Sequence, residues 1–137
     1  MGLELPRALV EAMVEHARAE FPNECCGLLA GRGARVERLY RGENADRSPY
    51  TYRLDPAEQL RLFRAIDAEG LELLGIYHSH TQSPAYPSRT DVAKAYYPDA
   101  VYVIVSLRGA EAPPDAAEVR AFRIRDGQVA EEELVTV

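Results

Sequence analysis

Apolar residues recur along the first half of the chain at two different periods. Val10, Met13, Val14, Ala17 and Phe21 stand three and four apart, the spacing of one helix face. Pro6, tolerated in a first helical turn, and Pro22, through which a helix does not continue, bound that segment. Glu24 to Ala30 is a short apolar run that reads as a buried strand. Gly31-Arg32-Gly33 turns it back into a second strand, Ala34 to Arg41, anchored by Val36 and Leu39. A polar loop, Gly42 to Pro49, leads to alternation over Tyr50 to Leu54 that favours another strand. Asp55 and Pro56 then look like a helix N-cap and first position. That helix runs to Glu69 with Leu60, Phe63 and Ile66 inward, and Gly70 ends it.

The second half alternates in the same way. Leu71 to His78 is a strand, and a short helix opens at Ser88 and stops before Pro98, which biases Tyr97 away from helical geometry. Val101 to Leu107 is apolar on both faces and therefore central in a sheet. Arg108 to Ala117, rich in glycine, alanine and proline, is the candidate mobile loop. Glu118 to Arg125, the turn Asp126-Gly127 and Gln128 to Val137 close the chain as a hairpin. No repeat or composition break divides residues 1–137, so the pattern predicts one domain of the α/β (α+β) class.

Composition narrows the function. A chain of 137 residues builds one hydrophobic core, and a net charge of -6 argues against a nucleic-acid partner, which needs a clustered basic surface. No apolar segment is long enough to span a membrane and no signal peptide opens the chain, so a cytoplasmic protein without a membrane partner is expected. Cys25 and Cys26 are adjacent and cannot form a long-range disulfide staple, so they read as small buried hydrophobes.

Candidate chemistry gathers after the Leu71 strand. His78 and His80, separated by one residue, share a face of an extended backbone. A loop stiffened by Pro84 and Pro87 would bring back Asp91, whose place in a first helical turn keeps its carboxylate ionised. Two imidazoles and one carboxylate leave a fourth tetrahedral position for water, as in catalytic zinc sites, and also suit the facial triad of an Fe(II) oxygenase. Ser88 and Asp91 read equally well as a capping box. Hydrolysis needs a further proton carrier. Glu24 is the candidate if it is buried at its strand start, the plain alternative being an exposed strand end. His16 has no second ligand near it and is taken as structural or surface.

His78-Ser79-His80, seven residues, Ser88, two residues and Asp91 match the JAMM motif at every defined position. Pro22-Asn23-Glu24-Cys25-Cys26-Gly27-Leu28-Leu29-Ala30-Gly31 resembles the Pro-x-Glu-x-Cys-Gly-Leu-Leu-x-Gly block of the same proteins, the MPN-domain metalloproteases. The chain resembles their compact bacterial branch. That resemblance implies a curved mixed β-sheet flanked by helices, and Zn2+ held by His78, His80 and Asp91. Glu24 would be the general acid/base, Ser88 would steady the oxyanion, and Cys26 would pack behind the site. The implied substrate is a ubiquitin-like or sulfur-carrier protein, cut at a peptide or isopeptide bond after a C-terminal Gly-Gly tail. Such a tail could bind by adding to an exposed strand edge. Thr81 departs from the proline that many relatives carry after the second histidine. A non-catalytic MPN scaffold is the alternative, against which the complete ligand set argues. A homodimer is compatible with the sequence, as is a monomer.

Overall fold

Residues 2–108 and 117–137 are described by a computed structural model, so the connection read from Arg108 to Ala117 lies almost wholly outside the described residues. The elements are β1 (Leu3–Leu5), α1 (Arg7–Glu20), β2 (Cys26–Arg32), β3 (Arg35–Gly42), α2 (Pro56–Ala68), β4 (Glu72–His80), α3 (Arg89–Ala93), β5 (Val101–Ser106), β6 (Glu118–Arg125), β7 (Gln128–Glu132) and β8 (Leu134–Thr136). They form one mixed sheet in the order β7-β6-β5-β4-β2-β3-β1-β8. β7 and β8 stand at opposite ends of that order, yet only Glu133 separates them in the chain. The sheet must therefore curl until its two ends approach each other.

Alternation along the strands divides the core into two layers. Val101, Val103 and Val105 of β5 face Met13, Val14 and Ala17 of α1. Tyr102 and Ile104, one residue out of step, face Leu62 and Ile66 of α2. β5 is buried on both sides, as its apolar run predicts. Glycine is required at Gly27, where a Cβ would stand 2.4 Å from the Tyr77 ring and 2.5 Å from the Tyr40 carbonyl. Tyr77 thus lies flat against β2, and its hydroxyl meets His16 Nδ1 at 2.7 Å. His16 is buried and structural.

Several elements differ from the sequence reading. β1 is too short to show a period, and it is held by parallel pairing to both β3 and β8. β2 starts at Cys26, two residues later than read, and continues to Arg32, so the turn falls at Gly33 and Ala34. Tyr50 to Leu54 makes only one bridge, Asn44 to Leu54, because its backbone is engaged by the side chains of Ser48 and Asn44 instead of a neighbouring strand. Leu60 and Phe21 are exposed at 51% and 46%: the buried face of α2 runs through Leu62 and Ile66, and α1 ends before Phe21. Gln128 to Val137 is two strands, of which only β7 pairs with β6 while β8 crosses to β1. β4 extends to His80, so both histidines lie within the strand. No helix among the described residues is long and apolar enough to cross a membrane.

Candidate metal centre

The C-terminal end of β4 carries the site. His78 and His80 project to the same side of the sheet, as a strand requires of residues two apart. Ser79 projects to the other, where its hydroxyl accepts a hydrogen bond from the Cys25 N–H at 2.8 Å. The following loop is fastened at several points: Thr81 Oγ1 donates to the Pro49 carbonyl, the Ser106 hydroxyl donates to the Ser83 carbonyl, and Leu107 N–H donates to the His80 carbonyl. Thr81 is therefore a tie between two loops, a bond that a proline at this position could not make. The loop returns the chain at Ser88, the N-cap of α3.

Ser88 Oγ accepts from the Asp91 N–H at 3.0 Å, and Asp91 Oδ2 accepts from the Ser88 N–H at 2.9 Å, so the capping box forms. The same Oδ2 lies 3.1 Å from His78 Nε2 and 3.0 Å from His80 Nε2, and the two Nε2 atoms are 3.1 Å apart. All three residues are buried. His80 Nδ1 must donate to the Pro84 carbonyl at 2.8 Å, because a carbonyl only accepts; this leaves the Nε2 lone pair turned toward the other two donors.

Three electron-rich atoms pressed together away from water call for a cation among them. Zinc bonds of about 2.0–2.1 Å in a tetrahedral shell set neighbouring donors roughly 3.3 Å apart, close to the observed spacing, so the residues fit a metal of this kind. The charge states agree. Burial alone would raise Asp91, but the two histidine rings beside it and the hydrogen bond from the Ser88 N–H hold its carboxyl well below the ordinary range. Burial lowers His78; at His80 burial is again the largest single influence, but Asp91, the Pro84 carbonyl and Glu24 together outweigh it and raise the ring.

Glu24 is 3% exposed, which excludes the open strand end. Its Oε1 has no hydrogen-bond partner among the described residues, and burial pushes its carboxyl up to about 8, with His80 opposing and Asp91 adding to the shift. A buried carboxylate oxygen without a donor, close enough to feel both ligand charges, suits a partner bound at the open side of the trio. Its backbone is clamped at both ends: Glu24 N–H donates to the Ser48 carbonyl at 2.9 Å, and its carbonyl accepts from Asn44 Nδ2 at 3.0 Å. Ser88 Oγ already accepts one bond, and among the described residues no acceptor takes its hydroxyl hydrogen. Cys25 and Cys26 are free and buried; burial pushes the Cys25 thiol up to about 11 and raises Cys26 further, so both stay protonated.

Two residues at the site carry no sequence signal. Tyr52 stacks on His78 with ring centroids 4.3 Å apart and planes 21° apart, while His78 Nδ1 is buried without a hydrogen-bond partner among the described residues. Stacking therefore takes the place of the usual bond that orients a ligating imidazole. Asn44 uses its whole amide: Nδ2 donates to the carbonyls of Glu24 and Thr51, and Oδ1 accepts from the N–H groups of Asp46 and Arg53. Tyr-x-Tyr alternation points to a strand, and an asparagine in a polar loop has no pattern that marks it.

Residues 6–125 match the family described as prokaryotic homologs of the JAB domain. The chain is 52% identical over 132 residues to the CysO-cysteine peptidase of Mycobacterium tuberculosis, covering 94% of this chain and 87% of that protein. It is 41% identical over 127 residues to a probable TtuB-protein conjugate cleaving protease of Thermus thermophilus, covering 92% and 78%. The solution structure of a Desulfitobacterium hafniense protein superposes with a TM-score of 0.87 at 39% identity, covering 98% of this chain and 92% of that one. A JAB1/MPN domain protein from Archaeoglobus fulgidus, at 21% identity, shares the fold with a TM-score of 0.61 over 97% of this chain and 99% of its own. The expected MPN-like α+β fold with a curved mixed sheet is thereby borne out.

Proposed function

This chain belongs to the prokaryotic JAB-domain family, the JAMM metallopeptidases, and we propose that it is a zinc hydrolase. Its bond is a peptide or isopeptide bond at the C-terminal tail of a ubiquitin-like or sulfur-carrier protein. The observation that carries this reading is the approach of His78 Nε2, His80 Nε2 and Asp91 Oδ2 to within 3.0–3.1 Å of one another, with a buried Glu24 whose Oε1 has no hydrogen-bond partner among the described residues and whose carboxyl responds to the charges of His80 and Asp91. The names of the relatives, a CysO-cysteine peptidase and a TtuB-protein conjugate cleaving protease, support the substrate class.

His78, His80 and Asp91 would hold the ion. Bound there, zinc polarises the scissile carbonyl and makes water a nucleophile at neutral pH. Glu24 takes a proton from the attacking water and returns it to the leaving nitrogen; a carboxyl held near neutrality by burial is matched to both transfers. Ser88 donates its unused hydroxyl hydrogen to the oxygen that gains charge in the transition state. Pro84 and Tyr52 fix the two imidazole rings. β2 and β5 occupy both edges of β4, so a carrier tail that binds by strand addition uses another edge near the site. The cytoplasm is the compartment that two unpaired cysteines suit.

The reading predicts one zinc per chain in elemental analysis, lost in His80→Ala. It also predicts that Glu24→Gln retains the metal and loses about 10²–10⁴ in turnover. Full zinc occupancy in His80→Ala, or unchanged turnover in Glu24→Gln, contradicts it.

A further inference from the structure

The register of β4, β5 and β6 sets His80 opposite Ser106 and Ser106 opposite Glu118, so these three side chains form a row on one face of the sheet. The loop that returns the chain to Asp91 lies across this row. The Ser106 hydroxyl donates to the Ser83 carbonyl at 2.6 Å, His80 Nδ1 donates to the Pro84 carbonyl at 2.8 Å, and Glu118 Oε1 accepts from the Ala85 N–H at 3.1 Å. Three consecutive loop residues thus meet three neighbouring strands. The last two bonds share one peptide group, because the Pro84 carbonyl and the Ala85 N–H are the two ends of the same planar amide. That carbonyl takes a second donor, the Tyr86 N–H at 2.8 Å, which closes a tight turn around Ala85. Ala85 is buried, so its N–H depends on Glu118 for an acceptor. Arg120, two residues along β6, is engaged with Glu131 at 2.6 Å.

We infer that Glu118 is a positioning residue for the metal: through the Pro84–Ala85 peptide, its carboxylate fixes and strengthens the bond that orients His80. The proposal rests on the zinc site proposed above. A ligating imidazole is ordinarily oriented by a carboxylate or by a backbone carbonyl on its second nitrogen. Here the two stand in series, imidazole to peptide to carboxylate. A negative charge at the N–H end of a peptide pushes electron density onto its carbonyl oxygen, which then accepts more strongly from His80 Nδ1. The ring in turn offers Nε2 as a better donor to a cation. Geometry works in the same direction, because the amide plane cannot rotate without breaking one of the two bonds. His78 has no such chain: its Nδ1 lacks a hydrogen-bond partner among the described residues, and Tyr52 holds its ring by stacking. Loss of the Glu118 charge therefore acts on one imidazole and spares the other.

The test uses the full chain and two readouts: zinc affinity in competition with a chromogenic chelator, and exchange of the His80 Nδ1 proton with solvent, followed by NMR. Glu118→Ala is expected to weaken zinc binding about tenfold. It should speed the exchange roughly fivefold while the ring resonances of His78 stay in place. Glu118→Gln keeps an oxygen for the Ala85 N–H but not the charge, so it should fall between the alanine variant and the wild type in both readouts. Unchanged affinity in Glu118→Ala, full recovery in Glu118→Gln, or equal displacement of both histidine rings, the mark of a generally loosened loop, overturns the proposal and leaves the zinc site intact. Should the alanine variant fail to fold, the isosteric glutamine variant decides alone: reduced affinity supports the proposal and wild-type affinity rejects it. If the wild type binds no zinc, the zinc reading fails. The exchange rates in the metal-free protein then decide: faster exchange in Glu118→Ala supports the link through the peptide, and an equal rate rejects it.

Discussion

Asp91 Oδ2 accepts from the Ser88 N–H and faces both histidines, so one atom both closes a helix cap and completes the metal trio. The two readings of Ser88 and Asp91 that the sequence leaves open are therefore compatible, because Ser88 contributes its N–H and an oxygen lone pair to the cap while its hydroxyl hydrogen is unused. His78 is held differently, by the face of Tyr52. Tyr52→Ala should weaken zinc binding about tenfold in competition with a chromogenic chelator, and Tyr52→Phe should stay near wild type because the ring is retained. Equal affinity in Tyr52→Ala would remove the ring from the site. At this scale the sequence exposes the trio well, since strand spacing and a proline-stiffened return are local patterns. Tyr52 is invisible there because its contact with His78 depends on where a loop of irregular backbone crosses the strand end.

The segment between β3 and α2 is an element without regular structure, fixed by the side chain of Asn44, which ties Glu24, Thr51, Asp46 and Arg53 together. Asn44→Asp turns a donor into an acceptor facing two carbonyls. It should cost about 2–3 kcal/mol in urea unfolding and lower turnover by releasing Glu24. A neutral effect on both would show that the loop is positioned by other contacts. On the opposite face, α1 is joined to β4 by His16 and Tyr77. Burial, with help from Arg41, pushes His16 down to about 4 from an ordinary 6.5, and the half-exposed Glu20 at 3.8 Å does not reverse this. A folded-state value below the unfolded one means that the unfolded chain binds the extra proton, so stability falls as pH drops from 6.5 toward 4. The destabilisation of His16→Gln relative to wild type should thus shrink by roughly 2 kcal/mol between pH 7 and pH 4.5, because only the wild type carries this acid penalty. A constant difference would show that His16 is not buried in its neutral form. Helices and long strands were legible because their apolar periods survive tertiary packing. β1 and β8 were not, because three residues show no period and their pairing partners are distant in sequence.

At the scale of the molecule, the curl of the sheet leaves β4 enclosed by β2 and β5 and places the site at a strand end roofed by loops. Composition could exclude a basic nucleic-acid surface, but it could not show that β7 and β8 are joined through one residue while standing at opposite ends of the strand order. Nor could it show a recess that forms only where α2, α3 and the β3–α2 segment meet. All the residues assigned to chemistry lie on the α2 and α3 side, away from α1, so changes in the His16 layer should alter stability far more than turnover. The central claim is metal-dependent cleavage at a carrier tail. It is tested most directly by incubating the zinc-loaded chain with a ubiquitin-like carrier extended beyond its Gly-Gly terminus and measuring the intact mass of the carrier. The account predicts loss of the extension at the tail, abolished by chelation, restored by added zinc and absent in Glu24→Gln. A carrier that keeps its full mass, or one that is cut equally in the presence of chelator, contradicts it.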